Sequence, residues 1–132
     1  MQEPTIFTKI INGEIPSHKV YEDEHTLAFL DIYAVIAGHT LVIPKKQVEF
    51  VWDLEPSDYE ALMKTVQKVA LRLRSELDVK YVGEKVIGTD VPHAHVHLIP
   101  FSNPEDMGRA NQENAEPNHE ELAVLAEKLY FE

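Results

Sequence analysis

Residues 92–100 read PHAHVHLIP, which sets three histidines at alternate positions between two prolines. Side chains of a β-strand alternate between the two faces of a sheet. A strand here would therefore place His93, His95 and His97 on one face, with the apolar residues between them on the other face against the core. We predict such a strand over residues 94–99, which the following proline ends.

The row of imidazoles has three possible interpretations. The histidines could decorate an exposed face, although surface histidines usually occur singly. They could bind a metal, since alternate strand positions can place two imidazoles on one ion, but the sequence places no third carboxylate or thiolate ligand beside them. In the interpretation that we favour, one histidine is a nucleophile toward phosphorus. A carbonyl that accepts from its Nδ1–H would leave Nε2 unprotonated and free to attack.

Hydrophobic periodicity predicts the remaining elements. Strands are indicated at residues 19–22, 26–30, 40–43 and 81–87, and hairpins without βαβ alternation favour an α+β fold with an antiparallel sheet. The predicted helices are a short first helix, a short helix within residues 47–54 with Val48, Val51 and Trp52 on its apolar side, a long helix over about residues 57–77, and a last helix capped by Asn118.

Composition narrows the class of protein. The 132 residues suit one domain, and the net charge of -11 argues against nucleic acid or an anionic membrane as a partner, although it leaves room for a mononucleotide. The absence of cysteine excludes disulfides and thiolate zinc sites. No window is apolar over the length of a membrane span, and the first residues lack the pattern of a signal peptide, so we expect a cytoplasmic protein.

Four segments together resemble the histidine-triad (HIT) superfamily. Residues 93–99 resemble its triad of histidines separated by apolar residues, residues 6–16 its opening helix, residues 27–32 its ribose-binding strand and residues 38–46 its central strand. The resemblance covers about residues 5–100. It implies a five-stranded antiparallel sheet with two main helices and an extra C-terminal helix. It also implies one HIT domain over residues 1–132, with residues 101–132 as a C-terminal loop and helix.

The resemblance assigns roles to individual residues. His95 would be the nucleophile that forms a nucleotidyl-histidine, the carbonyl of His93 would orient it, and His97 would donate to the phosphate. Asp31 would accept from the ribose hydroxyls, and His39 would support the site from behind. The base pocket and the phosphate-binding backbone would come from Ile6, Phe7, Ile10, Phe29 and Leu30, and from Thr89 and Val91.

The activity implied is hydrolysis of nucleoside monophosphate conjugates, such as phosphoramidates or dinucleoside polyphosphates, with AMP or GMP as the nucleotide and no cofactor required. The resemblance also implies a homodimer whose sheets join edge to edge, with Met63 and Leu71 of the largest helix near the contact. Three alternatives stay open: a nucleotide-binding regulatory module with little turnover, a metal-binding protein, and a nucleotidyltransferase.

The sequence departs from the family pattern at two places. One branch has a histidine near the leaving group where this chain has Gln47. Glutamine cannot donate a proton and recover it, so we expect weaker activity on phosphoramidates. The loop before the triad is also short, and we expect its Asp90 to cap a turn, away from the phosphate. In the tail, Asn103, Arg109 and Asn111 are candidates for contact with the substrate.

Overall fold

The coordinates are a computed structural model that describes residues 2–108 and 116–132. Two of the tail candidates, Arg109 and Asn111, lie outside the described residues. No helix of the described part is long and apolar enough to cross a membrane.

A five-stranded antiparallel sheet forms the centre of the molecule, with strand order β1-β2-β3-β5-β4. This confirms the predicted fold class. The strands are β1 Lys19–Glu22, β2 Thr26–Leu30, β3 Thr40–Pro44, β4 Tyr81–Lys85 and β5 Val96–Phe101. The helices are α1 Ile6–Ile11, α2 Pro56–Glu76 and α3 His119–Leu129, with short 3-10 helices at Val51–Asp53 and Pro104–Gly108.

The alternation of side chains along the strands separates two layers. Val96 and Leu98 of β5 pack with α2 and α3 in the larger core cluster, together with Ala94, as the sequence predicted. The other face carries a second cluster in which α1 packs against alternate residues of β2 and β3, namely Phe7, Ile10, Leu27, Phe29, Leu41 and Ile43. His97 pairs with Leu41 across β5 and β3, so the histidine face of the sheet is the face that α1 covers.

Local sequence signals explain where the helices begin. The Thr5 side chain caps α1 by accepting from Thr8 N at 3.1 Å. Pro56 lies in the first turn of α2, where the backbone N–H that proline lacks would have no partner within the helix. No side chain caps the start of this helix. Asn118 caps α3 by accepting from Glu121 N at 3.1 Å, which confirms the predicted cap.

Several predicted strand boundaries were wrong, including the end of β3, which extends through Pro44. The strand predicted over residues 94–99 instead spans Val96–Phe101. It includes Pro100 because β5 pairs with β3 only as far as Leu98, and beyond that residue it pairs only with β4. Lys85 of β4 pairs with His97, and β5 begins only one residue before His97. β4 therefore ends at Lys85, because the chain beyond it finds no strand partner in β5.

The short helix predicted within residues 47–54 is reduced to a single 3-10 turn. Val48 O accepts from Ala94 N at 2.7 Å, which holds the chain before that turn against the triad segment. Val51 is buried as predicted, but Trp52 is 73% exposed and does not belong to an apolar core face.

The two edges of the sheet differ. At the β1 edge, Phe131 N donates to Val20 O at 3.1 Å, so the C-terminal tail pairs with that strand. At the other edge, β4 has only β5 as a strand partner among residues 2–108 and 116–132. β4 is therefore the edge that the described chain leaves open.

Candidate active site

The three histidines of the triad are buried, with 0%, 3% and 8% of His93, His95 and His97 exposed. This contradicts their interpretation as surface decoration. Only His97 lies within β5, while the two before it run in irregular chain. Backbone bonds from His93 N to Val91 O at 2.8 Å and from Ala94 N to Val48 O hold that chain in place. The rings still gather on the α1 side, because both His93 and His95 meet the Phe7 ring edge-on.

The hydrogen bonds around His95 determine which of its nitrogens carries the proton. Nδ1 lies 2.7 Å from the carbonyl oxygen of His93. A carbonyl only accepts, so Nδ1 is the protonated nitrogen and the neutral ring leaves Nε2 with a free lone pair. The ring is wedged between Phe7 and His97, at centroid distances of 5.2 and 5.0 Å. The arrangement orients the ring and assigns Nε2 as the nitrogen that carries the lone pair in the neutral form.

The ring of His93 is held at both nitrogens. Nε2 donates to Pro44 O at 2.8 Å, and Nδ1 accepts from Thr5 Oγ1 at 2.9 Å. Burial lowers the pKa of His93, which keeps the ring neutral and this pattern intact. Because the ring is fixed, the main-chain carbonyl that orients His95 is fixed as well.

A relay of hydrogen bonds sets the tautomer of His97. Val35 N–H donates to His39 Nδ1 at 3.1 Å, so the proton of neutral His39 is on Nε2. That Nε2–H lies 3.0 Å from His97 Nδ1 and donates to it. The remaining proton of His97 is therefore on Nε2, on a ring that lines the cavity described below. Burial lowers the pKa of both His39 and His97 to about 4, so both rings are neutral at pH 7.

Asp31 lies at the end of β2, close to this relay. Its Oδ1 accepts from Tyr33 N at 2.8 Å, and its Oδ2 lies 3.7 Å from His39 Nε2. The carboxylate thus closes a local turn and also lines the cavity. Burial raises the pKa of Asp31 above its usual value. A carboxylate partly removed from water in this way gains from hydroxyl donors.

A cavity of about 530 Å³ opens between α1, the end of β2 and the loop before the triad. His95 and His97 line it together with Asp31, and so do the other seven residues assigned to the nucleotide: Ile6, Phe7, Ile10, Phe29, Leu30, Thr89 and Val91. His93 and His39 stand behind this lining. Six residues that were not assigned to the site from the sequence also line the cavity: Ile15, Pro16, Ser17, Ile32, Tyr33 and Leu41.

The loop before the triad contributes both donors and a charge. Among the described residues, neither the Thr89 N–H nor the Val91 N–H donates to a protein acceptor, so both remain open to a ligand. Asp90 also lines the cavity, which contradicts its prediction as a turn cap facing away. The negative charge of Asp90 raises the pKa of the His97 ring, although burial outweighs it.

Gln47 does not lie beside the nucleophile. Its Oε1 accepts from Thr5 N at 3.0 Å and from Thr8 Oγ1 at 2.6 Å, and its Nε2 donates to Glu3 O at 2.8 Å. The side chain therefore fastens the start of α1, which in turn holds His93. Gln47 does not line the cavity at His95. The expectation of weaker activity on phosphoramidates stays a prediction, because the chain still has no proton donor at this position.

One group of side chains has the composition of a metal site. Potential ligand atoms of Asp31, His39 and His97 lie within 4.8 Å of one another, so the structure supplies the carboxylate that the sequence lacked. The hydrogen bonds oppose coordination. A metal on His39 Nε2 would require a proton on Nδ1, where Val35 N–H already donates. Two N–H groups would then face each other, so the arrangement suits a proton relay better than an ion.

The sequence profile of the HIT domain matches residues 12–103. The chain therefore belongs to the histidine-triad (HIT) family, which confirms the resemblance read from the sequence. Protein hit of Bacillus subtilis is 47% identical over 104 residues, 74% of this chain and 71% of that protein. The adenosine 5'-monophosphoramidase of Schizosaccharomyces pombe is 32% identical over 125 residues, 94% of each protein.

The fold agrees with solved members of the family. The crystal structure of a Hit-like protein from Bartonella henselae superimposes with a TM-score of 0.83 at 31% identity, over 97% of this chain and 95% of that one. The similarity extends beyond the profile match into the C-terminal part of the chain, where α3 lies.

Proposed function

We propose that the protein hydrolyses nucleoside monophosphate conjugates through a nucleotide covalently attached to His95. The observation that carries the proposal is the bond from His95 Nδ1–H to the His93 carbonyl, which leaves Nε2 free beside a cavity that also holds Asp31. Membership of the HIT family supports nucleotide hydrolysis in general. The S. pombe relative named an adenosine 5'-monophosphoramidase favours an AMP amide as the first substrate to test.

The reaction would proceed in two displacements. His95 Nε2 attacks the phosphorus, the new N–P bond forms and the bond to the leaving group breaks, with a leaving amine taking its proton from solvent. Water then attacks the same phosphorus, the N–P bond breaks and the nucleoside monophosphate is released. The Nε2–H of His97 and the N–H groups of Thr89 and Val91 offset the charge that develops on the phosphoryl oxygens. Asp31 accepts from the ribose hydroxyls, and these steps use no metal.

A hydrolysis screen tests the proposal. AMP and GMP amides and dinucleoside polyphosphates are incubated with the wild-type protein and with His95→Ala. Loss of a nucleophile should lower kcat/KM by at least about 10³-fold. His25→Ala is the matched control, because His25 is exposed and lines neither cavity at His95, and it should retain full activity. Nucleotide binding without turnover would instead favour the regulatory alternative.

A homodimer and a cytoplasmic location belong to the same proposal. The second copy would add at the open β4 edge, where Tyr81 is 44% exposed and Leu71 of α2 is 49% exposed. Met63 contributes less, since it packs against the core of its own chain. Light scattering at micromolar concentration should give twice the chain mass, and a monomer would contradict this part.

A further inference from the structure

A second, smaller depression of about 20 Å³ is also lined by His95. Its lining shares only His95 with the large cavity. The other contributors come from the chain before α2, from the chain that follows β4 and from the triad segment: Glu49, Phe50, Val51, Trp52, Val86, Ile87, Gly88 and Ala94. The nucleophile therefore stands between two separate surfaces of the protein.

Large apolar side chains around this depression are exposed to solvent. Phe50 is 41% exposed, Trp52 73% and Ile87 59%. Phe50 lies against Gly88, where a Cβ would be 3.3 Å from Phe50 Cδ1, so the aromatic ring lies directly beside the loop that leads to the triad. Clustered apolar exposure of this kind marks a binding surface more often than scattered single residues do.

The geometry of displacement at phosphorus requires a second binding region. A conjugate has a nucleoside arm, which the large cavity accommodates, and a leaving-group arm. In-line attack puts the leaving atom on the side of phosphorus away from His95 Nε2, toward the mouth of the site. The remainder of that arm must then cross the surface beside the mouth. The exposed surface that adjoins His95 outside the nucleoside cavity carries Phe50, Trp52 and Ile87.

We propose that Phe50, Trp52 and Ile87 form a leaving-group subsite for aromatic or bulky apolar amines. The inference rests on the proposed function and specifies its substrate class. Among the described lining residues, the one charged side chain is that of Glu49. A polyphosphate arm would meet this carboxylate without a cation to offset it, whereas an uncharged arm would bury apolar surface.

Kinetics with paired substrates test the subsite. The AMP amide of 4-nitrobenzylamine is compared with the unsubstituted AMP amide. Aromatic contacts predict a preference of about tenfold in kcat/KM for the aromatic amine in the wild type, falling to about twofold or less in Trp52→Ala. The ratio of the two substrates is the readout, because it cancels any general loss of activity. Trp52→Phe should retain most of the preference, and Val124→Ala, an exposed apolar position on α3, should leave the ratio unchanged.

Fluorescence tests the same subsite without turnover. Trp52 is the chain's single tryptophan, so its emission reports on this surface alone. In His95→Ala, the nitrobenzyl conjugate should quench Trp52 strongly, while AMP should not. Equal substrate ratios in wild type and Trp52→Ala, equal quenching by AMP, or a Trp52 shielded from acrylamide by a second copy would each overturn the subsite. If the wild type hydrolyses neither amide, the proposed function fails. The quenching comparison then still tests whether the surface at Trp52 binds the aromatic arm.

Discussion

The seven histidines form two groups that differ in what their rings touch. His39, His93, His95 and His97 are buried, whereas His18, His25 and His119 are at least partly exposed. The exposed pair, His18 Nε2 and His119 Nδ1, lies 3.0 Å apart, and either nitrogen can be the donor. In the buried group, backbone groups that can act only as donor or only as acceptor decide the tautomers of His39, His93 and His95, and His39 in turn sets that of His97.

The comparison shows what turns an imidazole into a directed chemical group. Val35 N–H, Pro44 O and His93 O each impose one protonation pattern on one ring. Burial then keeps the rings of His39, His93 and His97 neutral by lowering their pKa. Between the rings of His18 and His119, by contrast, no backbone group fixes which nitrogen donates.

The largest expected difference between the two groups of histidines is in how they make the free energy of unfolding depend on pH. His39 and His97 have a pKa of about 4 when folded and the ordinary value of 6.5 when unfolded. The unfolded chain therefore binds more protons between these values, so stability is lost as pH falls below 6.5. The free energy of unfolding should drop by about 2 kcal/mol for each of these two histidines between pH 7 and pH 5. Urea titrations at several pH values measure this.

Two variants sharpen the acid prediction. The double variant His18→Gln with His119→Gln removes the exposed pair and should show nearly the same pH dependence as the wild type. His39→Gln should lose part of it. The raised pKa of Asp31 acts in the opposite direction, since the folded state then holds that proton more firmly. A free energy of unfolding that does not change between pH 7 and pH 5 would refute the buried, neutral state of the histidines.

Breaking the relay should lower activity without removing the nucleophile. His39→Leu leaves Val35 N–H and His97 Nδ1 without their partner, so the tautomer of His97 is no longer set. We expect kcat/KM to fall by about 10- to 100-fold. His39→Gln is the conservative comparison, because its amide can accept from Val35 N–H and donate to His97. If the leucine and glutamine variants were equally impaired, the direction of the hydrogen bonds would not matter.

Removing the Thr5 hydroxyl, which bonds the His93 ring, should have the smallest effect. Thr5→Val keeps the shape of the side chain but removes the hydroxyl that caps α1 and donates to His93 Nδ1. The free energy of unfolding should fall by about 1–2 kcal/mol. Thermal unfolding beside Thr5→Ser, which keeps the hydroxyl, measures the loss. A valine variant as stable as the wild type would show that this contact contributes little.

Much of the fold was predictable because its signals are local. The alternation of apolar residues along residues 94–98 predicted that Ala94, Val96 and Leu98 face the core, and Asn118 marked the start of α3. The end of β4 was not predictable, because it depends on where a distant strand begins to pair with it. The prediction for Trp52 was wrong because the hydrogen bond from Ala94 N to Val48 O holds the chain before Trp52 out of a longer helix.

In the candidate site, too, some features were predictable from the sequence and others depended on distant contacts. The triad and the resemblance indicated every residue that was assigned to the nucleotide, and the fold brings them to one cavity. Their roles stay predictions. The position of Gln47 could not be inferred, since its partners Thr5 and Thr8 are about forty residues away in the chain. The relay through His39 needed the direction of Val35 N–H, which no sequence pattern encodes.

The most direct test of the account is to trap the covalent intermediate. Wild-type protein is mixed briefly with an AMP amide, quenched in base to preserve an acid-labile N–P bond, digested and mapped by mass spectrometry. The account predicts one added AMP group on His95, and none in His95→Ala. An AMP group on another residue, or turnover in the wild type with no covalent species under single-turnover conditions, would contradict it.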